Sequence, residues 1–313
     1  MRHLTVIIAT YNRSHMLPRV FNSLLKQKID DRFDFDILLS DNNSTDQTRQ
    51  VVESYLPQFK NKLRYLFEPQ RGKAFAVNKA ILESRGDILV FTDDDVIADD
   101  HWLANIAACF EQHDCDGLGG RILAEYPKSA PAWIKENADI LAGPIVLYDH
   151  GEMNGLYAKS MTEFLGANFA FKRTLFEECG NIRTDIGPGK GTLGEDTELI
   201  NRFLKAGKKL YYCGKAVVWH PVEENRMNLK YIGAWNFGLG RYRFIVDEKE
   251  KIDRTLVYWF GIPRYLLFLM LRETLSLVLN IFNKRKLLLN WIDLSRNWGK
   301  ASEIKRVYSK NSL

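Results

Sequence analysis

The stretch DILVFTDDD (87–95) joins a run of apolar residues directly to three consecutive aspartates. A short, continuous apolar run is typical of a parallel strand that is buried on both faces of a sheet. Three adjacent carboxylates repel one another, so such a cluster is costly unless a cation lies against it. The stretch therefore predicts a buried parallel strand whose carboxyl end faces a positive charge.

Similar strand–helix pairs precede this stretch, so that the first 115 residues contain four pairs in series. In the first helix, the apolar residues recur at the spacing of one helix face, and Ser14 is placed to cap its N-terminus. Such a series predicts an α/β protein with a doubly wound, mostly parallel central sheet, flanking helices and right-handed crossovers. We expect strands over 4–9, 35–42, 63–69 and 87–92, and helices over 13–27, 46–56, 73–84 and 99–110.

Polar residues follow every one of these strands, where a sheet of this kind binds its ligand. The chain contains neither a GxGxxG nor a GxxxxGK[ST] loop, which disfavours a dinucleotide site and a phosphate-binding ATPase loop. One sheet edge is instead expected to gather carboxylates, a guanidinium and an ammonium. The residues concerned are Thr10, Tyr11, Asn12 and Arg13 after the first strand, Asp41 to Ser44 after the second, Arg71 to Lys73 after the third, and Asp93 to Asp95 after the fourth.

The three aspartates suit Mg²⁺ or Mn²⁺ bridging the oxygens of a diphosphate. Because side chains alternate in an extended segment, Asp93 and Asp95 point one way, towards a metal, and Asp94 points the other way, towards a ribose. A helix cap is the structural alternative for this cluster. Asp41 either accepts the N–H of a uracil ring or caps the following helix. Arg71 and Lys73 either neutralise a diphosphate or form a solvated basic turn.

The second half of the chain supplies two further candidates. From 117 to 160 the alternation of strand and helix patterns becomes irregular. The sequence then predicts a strand over 161–173 and a helix over 174–179. Glu195 and Asp196 follow a glycine-rich loop (186–194) and begin a helix that ends at Gly207, so they either cap this helix or supply a general base. His220 ends one or two short strands (209–220), where a histidine is either a metal ligand or a hydrogen-bonded core residue.

These motifs, in this order, resemble those of family 2 glycosyltransferases of the GT-A fold over residues 3–240. They are ATYNR (9–13), DNNSTD (41–46), RGKAFAVNKA (71–80), TDDD (92–95), GANFAFKR (166–173), GEDTEL (194–199) and VVWHP (217–221). The resemblance implies a nucleotide-sugar site at Thr10, Tyr11, Asn12, Arg13, Asp41, Arg71, Lys73, Asp93 and Asp94. It implies metal ligands at Asp93, Asp95 and His220, a floor between donor and acceptor at Gly166, Ala167 and Asn168, and a catalytic base at Asp196 beside Glu195.

The resemblance implies a single in-line displacement that inverts the anomeric carbon of a nucleotide sugar, with UDP as the expected nucleotide and Mg²⁺ or Mn²⁺ as the cofactor. The segment GLGRYRF (238–244) lacks the tryptophan of the Q/R-x-x-R-W motif of processive members, which favours transfer of one sugar per binding event. The acceptor is expected to be a glycan or a lipid-linked hydroxyl in cell-surface polysaccharide or glycolipid synthesis. Trp133 either stacks on an acceptor ring or anchors its loop.

Two other functions are weighed against this one. A sugar-1-phosphate nucleotidyltransferase also has a metal site at the sheet edge, but it requires a G-x-G-T-R-like loop where this chain has ATYNR. A catalytically silent, nucleotide-sugar-binding scaffold subunit would be expected to lack the aspartate cluster or the base carboxylates, and both are present. The four cysteines lack metal-site spacing and are expected to be reduced thiols.

The C-terminal part differs in charge from the rest of the chain. Residues from Arg241 onward include 15 Lys/Arg against 7 Asp/Glu, whereas the net charge of the whole chain is only +5. We expect a GT-A domain over 1–240, with a nucleotide half to about 115 and an acceptor half from 116, followed by an extension of basic, apolar, amphipathic helices over 241–313.

The extension is expected to bind an anionic membrane surface through 256–294. The apolar residues from Tyr258 to Phe282 are interrupted by charges, too often for a membrane span. A basic cluster (284–286) and a second apolar patch, LLLNWIDL (287–294), follow. Without a secretory signal in the first residues, we expect a cytoplasmic enzyme on the inner face of the cytoplasmic membrane. The alternative is a helix pair that closes the domain or forms a homo-oligomer; nucleic acid is not expected as a partner.

Overall fold

The computed structural model describes residues 2–157, 161, 164–188, 191–247 and 256–311. The chain divides into two compact units. We call the first the sheet unit, which comprises Met1–Pro127, Val146–Gly189 and Glu195–Val222. We call the second the helical unit, which comprises Lys128–Ile145, Lys190–Gly194 and Glu223–Leu313.

The described strands are β1 (Arg2–Thr10), β2 (Phe33–Asp41), β3 (Leu63–Phe67), β4 (Ile88–Thr92), β5 (Ile97–Ala98), β6 (Gly117–Glu125), β7 (Gly155–Leu156), β8 (Phe169–Lys172), β9 (Leu210–Pro221), β10 (Tyr258–Trp259) and β11 (Ile262–Pro263). The described helices are α1 (Leu17–Leu25), α2 (Thr48–Tyr55), α3 (Lys73–Glu83), α4 (Trp102–Gln112), α5 (Ala132–Glu136), α6 (Ala142–Ile145), α7 (Thr174–Cys179), α8 (Glu195–Lys205), α9 (Leu229–Asp247), α10 (Arg264–Leu279) and α11 (Lys284–Asn311), with a short 3-10 turn at Glu224–Arg226.

The sheet unit is built on one large sheet in the order β3-β2-β1-β4-β8-β6-β9-β5, with β7 beside β9. The first four strands along the chain run parallel to one another, with β1 between β2 and β4. The predicted α/β fold with a mostly parallel central sheet and flanking helices is confirmed. The sequence did not reveal that β8 lies antiparallel between β4 and β6. The segment 209–220 forms a single strand, β9, whose register against β6 shifts between Gly120 and Arg121.

Burial explains why these segments take these positions. Leu4, Val6, Ile7 and Ile8 of β1 are almost inaccessible to solvent, as a strand covered on both faces requires. In α1 the residues at the spacing of one helix face are buried against this sheet. Leu25, predicted for the same face, is instead partly exposed. The described cysteines are free thiols.

Two details of the sequence prediction are corrected. Ser14 does not cap α1, because the helix begins only at Leu17, after Met16, and no side chain caps it. Instead, the Ser14 backbone N–H donates a hydrogen bond of 3.0 Å to Asp46. The strand predicted over 161–173 is shorter, because the chain between Leu165 and Asn168 turns before β8 begins. Thr162 and Glu163 lie outside the described residues, as do Gly189 and Lys190 of the glycine-rich loop.

The helical unit is organised by the packing of α11 against α9 and α10. The backbones of α9 and α11 lie very close, since a Cβ atom on Gly240 would be 2.0 Å from the carbonyl oxygen of Arg296. The buried Glu303 carboxylate pairs with Arg241 at 3.0 Å and with Arg306, so that its charge is compensated. The C-terminal helices expected from the sequence are therefore present and form a core of their own.

Part of the apolar patch 287–294 is buried inside this unit, although Leu289 is partly exposed. Leu288, Ile292 and Leu294 are buried, because this side of α11 packs against the neighbouring helices. The interpretation of this patch as membrane-facing is therefore wrong for these three side chains. None of the helices within the described ranges combines the length and the apolar character needed to cross a lipid bilayer.

Candidate active site

The ends of parallel strands place the predicted polar residues along one edge of the sheet. Thr10 at the end of β1 pairs in register with Asp41 at the end of β2, and Thr92 at the end of β4 lies beside Ile8 of β1. The loops that leave these strands therefore start side by side. As a result, the segments 10–13, 41–44 and 93–95 lie close together, although they are far apart in the sequence.

The end of β9 brings His220 to the aspartate cluster. The potential ligand atoms of Asp93, Asp95 and His220 all lie within 4.8 Å of one another. The Nδ1 atom of His220 is 3.0 Å from the carbonyl oxygen of Pro221. Because a carbonyl only accepts hydrogen bonds, Nδ1 is the donor in this contact, which leaves the lone pair of Nε2 available to a metal ion whenever the ring is neutral.

This lone pair points at a carboxylate oxygen that lacks a hydrogen-bond donor. Nε2 of His220 lies 3.4 Å from Oδ1 of Asp95, and no described group forms a hydrogen bond with that oxygen. Both side chains are almost completely buried. Two lone pairs that face each other in a buried site repel unless a cation lies between them. Two carboxylates and an imidazole are ligands that suit Mn²⁺ or a similar divalent cation, so these residues fit a metal.

Two basic side chains balance the cluster from within the sheet unit. Nζ of Lys73 lies 2.5 Å from Oδ1 of Asp93, and a guanidinium nitrogen of Arg13 lies 2.9 Å from Oδ2 of Asp95. Arg13 also approaches Asp94 at 4.0 Å. Arg13 and Lys73 therefore supply the positive charge that the sequence DDD requires.

Asp94 differs from its neighbours in its environment. Burial raises the pKa of Asp94 to about 7, and the adjacent Asp95 adds to this shift. The nearby Thr10 hydroxyl and the charge of Arg13 act in the opposite direction. Asp94 does not belong to the group formed by Asp93, Asp95 and His220, and the chain turns at Asp94 and Asp95, where the sequence had predicted an extended segment.

The first two strand ends form a compact polar rim. The guanidinium carbon of Arg71 lies 5.2 Å from the centre of the Tyr11 ring, which is 40% exposed. Asn12 has a left-handed backbone (φ 53°), and its side-chain oxygen accepts a 2.7 Å hydrogen bond from the Thr45 N–H. Asp41 accepts hydrogen bonds from the Ser44 N–H at 2.9 Å and from the Tyr65 hydroxyl at 2.7 Å. The carboxylate of Asp41 thus orders its own loop.

Asn42, predicted to lie at the sheet edge but without a role, is a positioning residue. Its side-chain nitrogen donates to the carbonyl oxygen of Gln70, and its side-chain oxygen accepts from the Gly72 N–H, both at 2.7 Å. These bonds tie the end of β2 to the turn that carries Arg71 and Lys73. Gly72 has a φ of 134°, which disfavours any residue with a side chain. The motif DNNSTD contained this signal, but the partner of Asn42 lies 30 residues away.

Glu195 and Asp196 are the first residues of α8, as expected. Oδ2 of Asp196 accepts a hydrogen bond of 2.8 Å from the Gly166 N–H, and a Cβ atom on Gly166 would lie 2.6 Å from this oxygen. Burial raises the pKa of Asp196, while the charge of Lys73 opposes the shift. Burial and the adjacent Asp196 raise the pKa of Glu195 to about 7.

The carboxylates of α8 share one recess in the sheet unit with Asp93, the first residue of the aspartate cluster. Lys73, Asp93, Gly166, Glu195 and Asp196 all line it. Its deeper wall is apolar and is formed by Ile7, Ala9, Ala74, Val77, Phe91, Phe169 and Ile182. Three carboxylates and a lysine are therefore combined in one concave site, an arrangement that is typical of an active site.

The remaining predicted residues have other surroundings. The Asn168 side chain is buried and fully hydrogen-bonded, to the Trp102 indole and to the carbonyl oxygens of Arg121 and Ala216. Ala167 is also buried, and its carbonyl oxygen accepts from the Thr92 hydroxyl at 2.9 Å. Of the segment 166–168, only Gly166 lines the recess. Trp133 lies in α5, in the helical unit.

The sequence model of the family described as "Glycosyl transferase family 2" matches residues 5–180, which is more than half of the chain. The chain belongs to glycosyl transferase family 2. The match includes the aspartate cluster and Gly166. In this glycosyltransferase the region matched by the family model therefore contains the two aspartates of the candidate cation group and the hydrogen-bond donor of Asp196. Family membership does not favour the nucleotidyltransferase alternative.

Named relatives agree with this assignment. Succinoglycan biosynthesis protein ExoM of Rhizobium meliloti (strain 1021) is 25% identical over 239 residues, which cover 76% of this chain and 73% of ExoM. The mannosyltransferase PcManGT from Pyrobaculum calidifontis, solved with GDP-Man and Mn²⁺, gives a TM-score of 0.60 at 17% identity, covering 99% of this chain and 74% of PcManGT.

A third similar protein is TarS 1–349 of S. aureus, solved with UDP. It gives a TM-score of 0.56 at 15% identity, and the match covers 99% of this chain and 92% of the TarS chain. At such identities the two solved structures establish the GT-A fold and nothing further. The fold predicted from the sequence is confirmed by them.

Proposed function

We propose that this glycosyltransferase transfers a single sugar from a nucleotide-sugar donor, expected to be a UDP-sugar, to a hydroxyl acceptor with inversion, and that it requires Mg²⁺ or Mn²⁺. The observation that carries the proposal is the shared recess, in which Lys73 contacts Asp93 and its charge also acts on Asp196. A base for the acceptor and positive charge for the leaving group are thus held in one concave site.

Asp196 is proposed as the general base that removes the proton from the acceptor hydroxyl. The Gly166 N–H fixes one of its oxygens, so that the other can receive this proton. The raised pKa of Asp196 increases its basicity, which favours proton transfer from an alcohol. Glu195 beside it is proposed to assist by its charge. Attack by the activated hydroxyl from the side opposite the leaving group would invert the anomeric carbon.

The leaving diphosphate is proposed to bind among the basic residues of the sheet edge. Lys73, Arg71 and Arg13 offer the charge that stabilises the departing oxygen. A divalent cation held by Asp93, Asp95 and His220 would neutralise diphosphate oxygens. Lys73 and Arg13 contact the same carboxylates that would hold the cation, so we expect these contacts to change when metal and diphosphate bind.

The nucleoside is proposed to lie on the polar rim. Tyr11 and Arg71 offer an exposed aromatic face beside a guanidinium, which suits stacking of a base. Thr10, Asn12 and Asp41 shape the loops around it, and Asp94 faces the ribose. Ala167 and Asn168 are proposed to support Gly166 from inside the protein, and Trp133 to contact an acceptor.

The acceptor is proposed to be a glycan or a lipid-linked glycan in the synthesis of cell-surface polysaccharide or glycolipid. The similarity of this chain to ExoM, a succinoglycan biosynthesis protein, supports this class. We further propose a peripheral enzyme on the inner face of the cytoplasmic membrane, attracted through its basic C-terminal part. The excess of Lys and Arg after Arg241 supports this location.

A nucleotide-release assay tests the proposal. The purified enzyme is incubated with Mn²⁺, a panel of UDP- and GDP-sugars and a mixture of glycan acceptors, and the released nucleotide is measured for wild type and Asp196→Asn. We expect release from one donor class by wild type, a loss of about 10³-fold or more in Asp196→Asn, and nearly unchanged donor binding. Normal turnover by Asp196→Asn would exclude Asp196 as the base.

A further inference from the structure

The helical unit exposes a large number of apolar side chains within one short part of its sequence. In α10, the solvent-exposed apolar residues recur at helical spacing and lie opposite the buried Leu266 and Met270. One side of α10 is buried, and the opposite side is also apolar but faces solvent. Contact between water and such a surface is unfavourable in free energy. We call this side the outer face of α10; it consists of Tyr265, Phe268, Leu271, Leu275, Val278 and Leu279.

The apolar surface continues beyond both ends of the helix. Before it, β10 and β11 form a two-stranded hairpin whose tip carries Trp259 and Phe260, the latter 87% exposed. After it, Ile281 is 61% and Phe282 is 99% exposed. A helix of 16 residues is about 24 Å long. The exposed apolar surface is therefore continuous over at least this length.

The charges around this surface indicate the chemistry of its partner. From Leu256 to Ile292 the chain contains a single acidic residue, Glu273, which is buried and pairs with Arg272 at 2.7 Å. The exposed Lys284 and Lys286 follow the helix directly. A surface with apolar, aromatic and basic groups, and with no exposed carboxylate among its described residues, suits the interface of an anionic bilayer.

The position of Arg264 favours a lipid surface over a second protein. Its guanidinium lies 5.3 Å from the Trp259 ring and 5.4 Å from the Phe268 ring, within the apolar surface itself. In a dry protein interface this charge would need a carboxylate partner. At a membrane interface its apolar stem lies among acyl chains while the charge reaches phosphate groups, and Trp and Tyr are favoured at the same depth.

We infer that the outer face of α10, together with the β10–β11 tip and residues 281–282, is the surface by which the enzyme rests on an anionic phospholipid membrane. The inference rests on the membrane location proposed above and deepens it, because it assigns contact to this face and excludes the buried side of α11. The helix would lie in the plane of the interface, with its outer face among the upper acyl chains.

Co-sedimentation with vesicles, without donor or metal, tests the inference. We expect wild type to sediment with phosphatidylglycerol-containing vesicles, less with pure phosphatidylcholine vesicles, and less at high salt. Leu275→Glu/Val278→Glu should lower the partition coefficient by about tenfold or more. Leu82→Glu, on an equally exposed residue of α3, is the matched control and should not change it.

Further measurements keep folding and activity separate from this result. Circular dichroism and thermal melting check the double variant, and Phe282→Ser, outside the helix, should also weaken sedimentation. Asp196→Asn should sediment like wild type, so the membrane result stands whatever the activity assay shows. The inference is overturned if the α10 variants sediment like wild type, if wild type ignores anionic vesicles, or if Leu275→Glu/Val278→Glu converts an oligomer to a monomer without lipid.

Discussion

The backbone N–H of Gly166 donates a hydrogen bond of 2.8 Å to Oδ2 of Asp196. The donor belongs to the turn before β8 and the acceptor to the first turn of α8, 30 residues later. No side chain at position 166 would allow this approach, because its Cβ would lie 2.6 Å from the carboxylate oxygen. This pair fixes the orientation of the proposed base.

Replacement of Gly166 by alanine should therefore displace the Asp196 carboxylate. We expect kcat to fall by about 10²-fold or more, because a shift of about 1 Å at a reacting group has effects of this size. Donor affinity, measured by calorimetry, should change little. Gly155→Ala is the control, since a Cβ atom there meets nothing within 4 Å. Full activity of Gly166→Ala would show that this contact does not position the base.

Glu195→Gln should separate the two carboxylates of α8. Because the pKa of Glu195 is raised to about 7 in the folded protein, its protonated form is favoured by folding. The corresponding stability is present below the ordinary pKa of Glu and is lost as the pH rises through about 7. The variant, which is always neutral, should thus unfold at a higher temperature than wild type near pH 8 and at a similar temperature near pH 4.

The gain in free energy of unfolding near pH 8 should be about 3 kcal/mol at most, since one pKa unit corresponds to about 1.4 kcal/mol. Thermal melting across this pH range measures it. Glu195→Gln should keep measurable transfer activity, unlike Asp196→Asn. A gain in stability that is independent of pH, or a complete loss of activity, would contradict these assignments.

His220→Ala should weaken metal binding. The imidazole supplies the nitrogen ligand of the proposed site, and its Nε2 lies 3.4 Å from Asp95. We expect the affinity for Mn²⁺, measured by calorimetry on the metal alone, to fall by about 10-fold to 100-fold. His101→Ala, at an exposed histidine, is the control. Equal Mn²⁺ affinity of His220→Ala and wild type would restrict the site to the aspartates.

Lys73→Met should change the pH profile of transfer as well as its rate. Lys73 opposes the rise of the Asp196 pKa, so its removal should raise this pKa further. The base then loses its proton only at higher pH, and the ascending limb of kcat against pH should move upward by about one unit or more. Lys79→Met, on the same helix, should leave the limb in place. An unshifted limb in Lys73→Met would show that the lysine does not act on the base.

The sequence predicted the strands and helices of the first 115 residues well because each of these elements carries its own periodic pattern. β1, β2, α3 and β4 lie within two residues of their predicted bounds. Predictions from the local sequence were wrong where a contact with a distant residue determines the structure. Ser14 was predicted to cap α1, but the helix begins only at Leu17 and the Ser14 N–H bonds to Asp46. They also missed the role of Asn42, since its partners belong to a turn that follows another strand.

The C-terminal part shows the same limit for apolar residues. Leu288 and Leu275 are both leucines in apolar helical segments, and the composition predicts the same role for both. In the structure Leu288 is 3% exposed and Leu275 is 55% exposed. The difference depends on which side of α10 packs against α11 and which side of α11 packs against α9 and α10. No local sequence pattern contains this information.

The sequence by itself determined which polar residues lie at the edge of the sheet where the parallel strands end. Parallel strands in series must end at the same edge, so the polar residues after β1, β2 and β4 had to meet there. Only the tertiary structure decided that His220 faces Asp95, that Gly166 holds Asp196, and which apolar side chains of α10 and α11 stay exposed. These relationships join residues that are distant in the sequence, and packing between whole elements sets them.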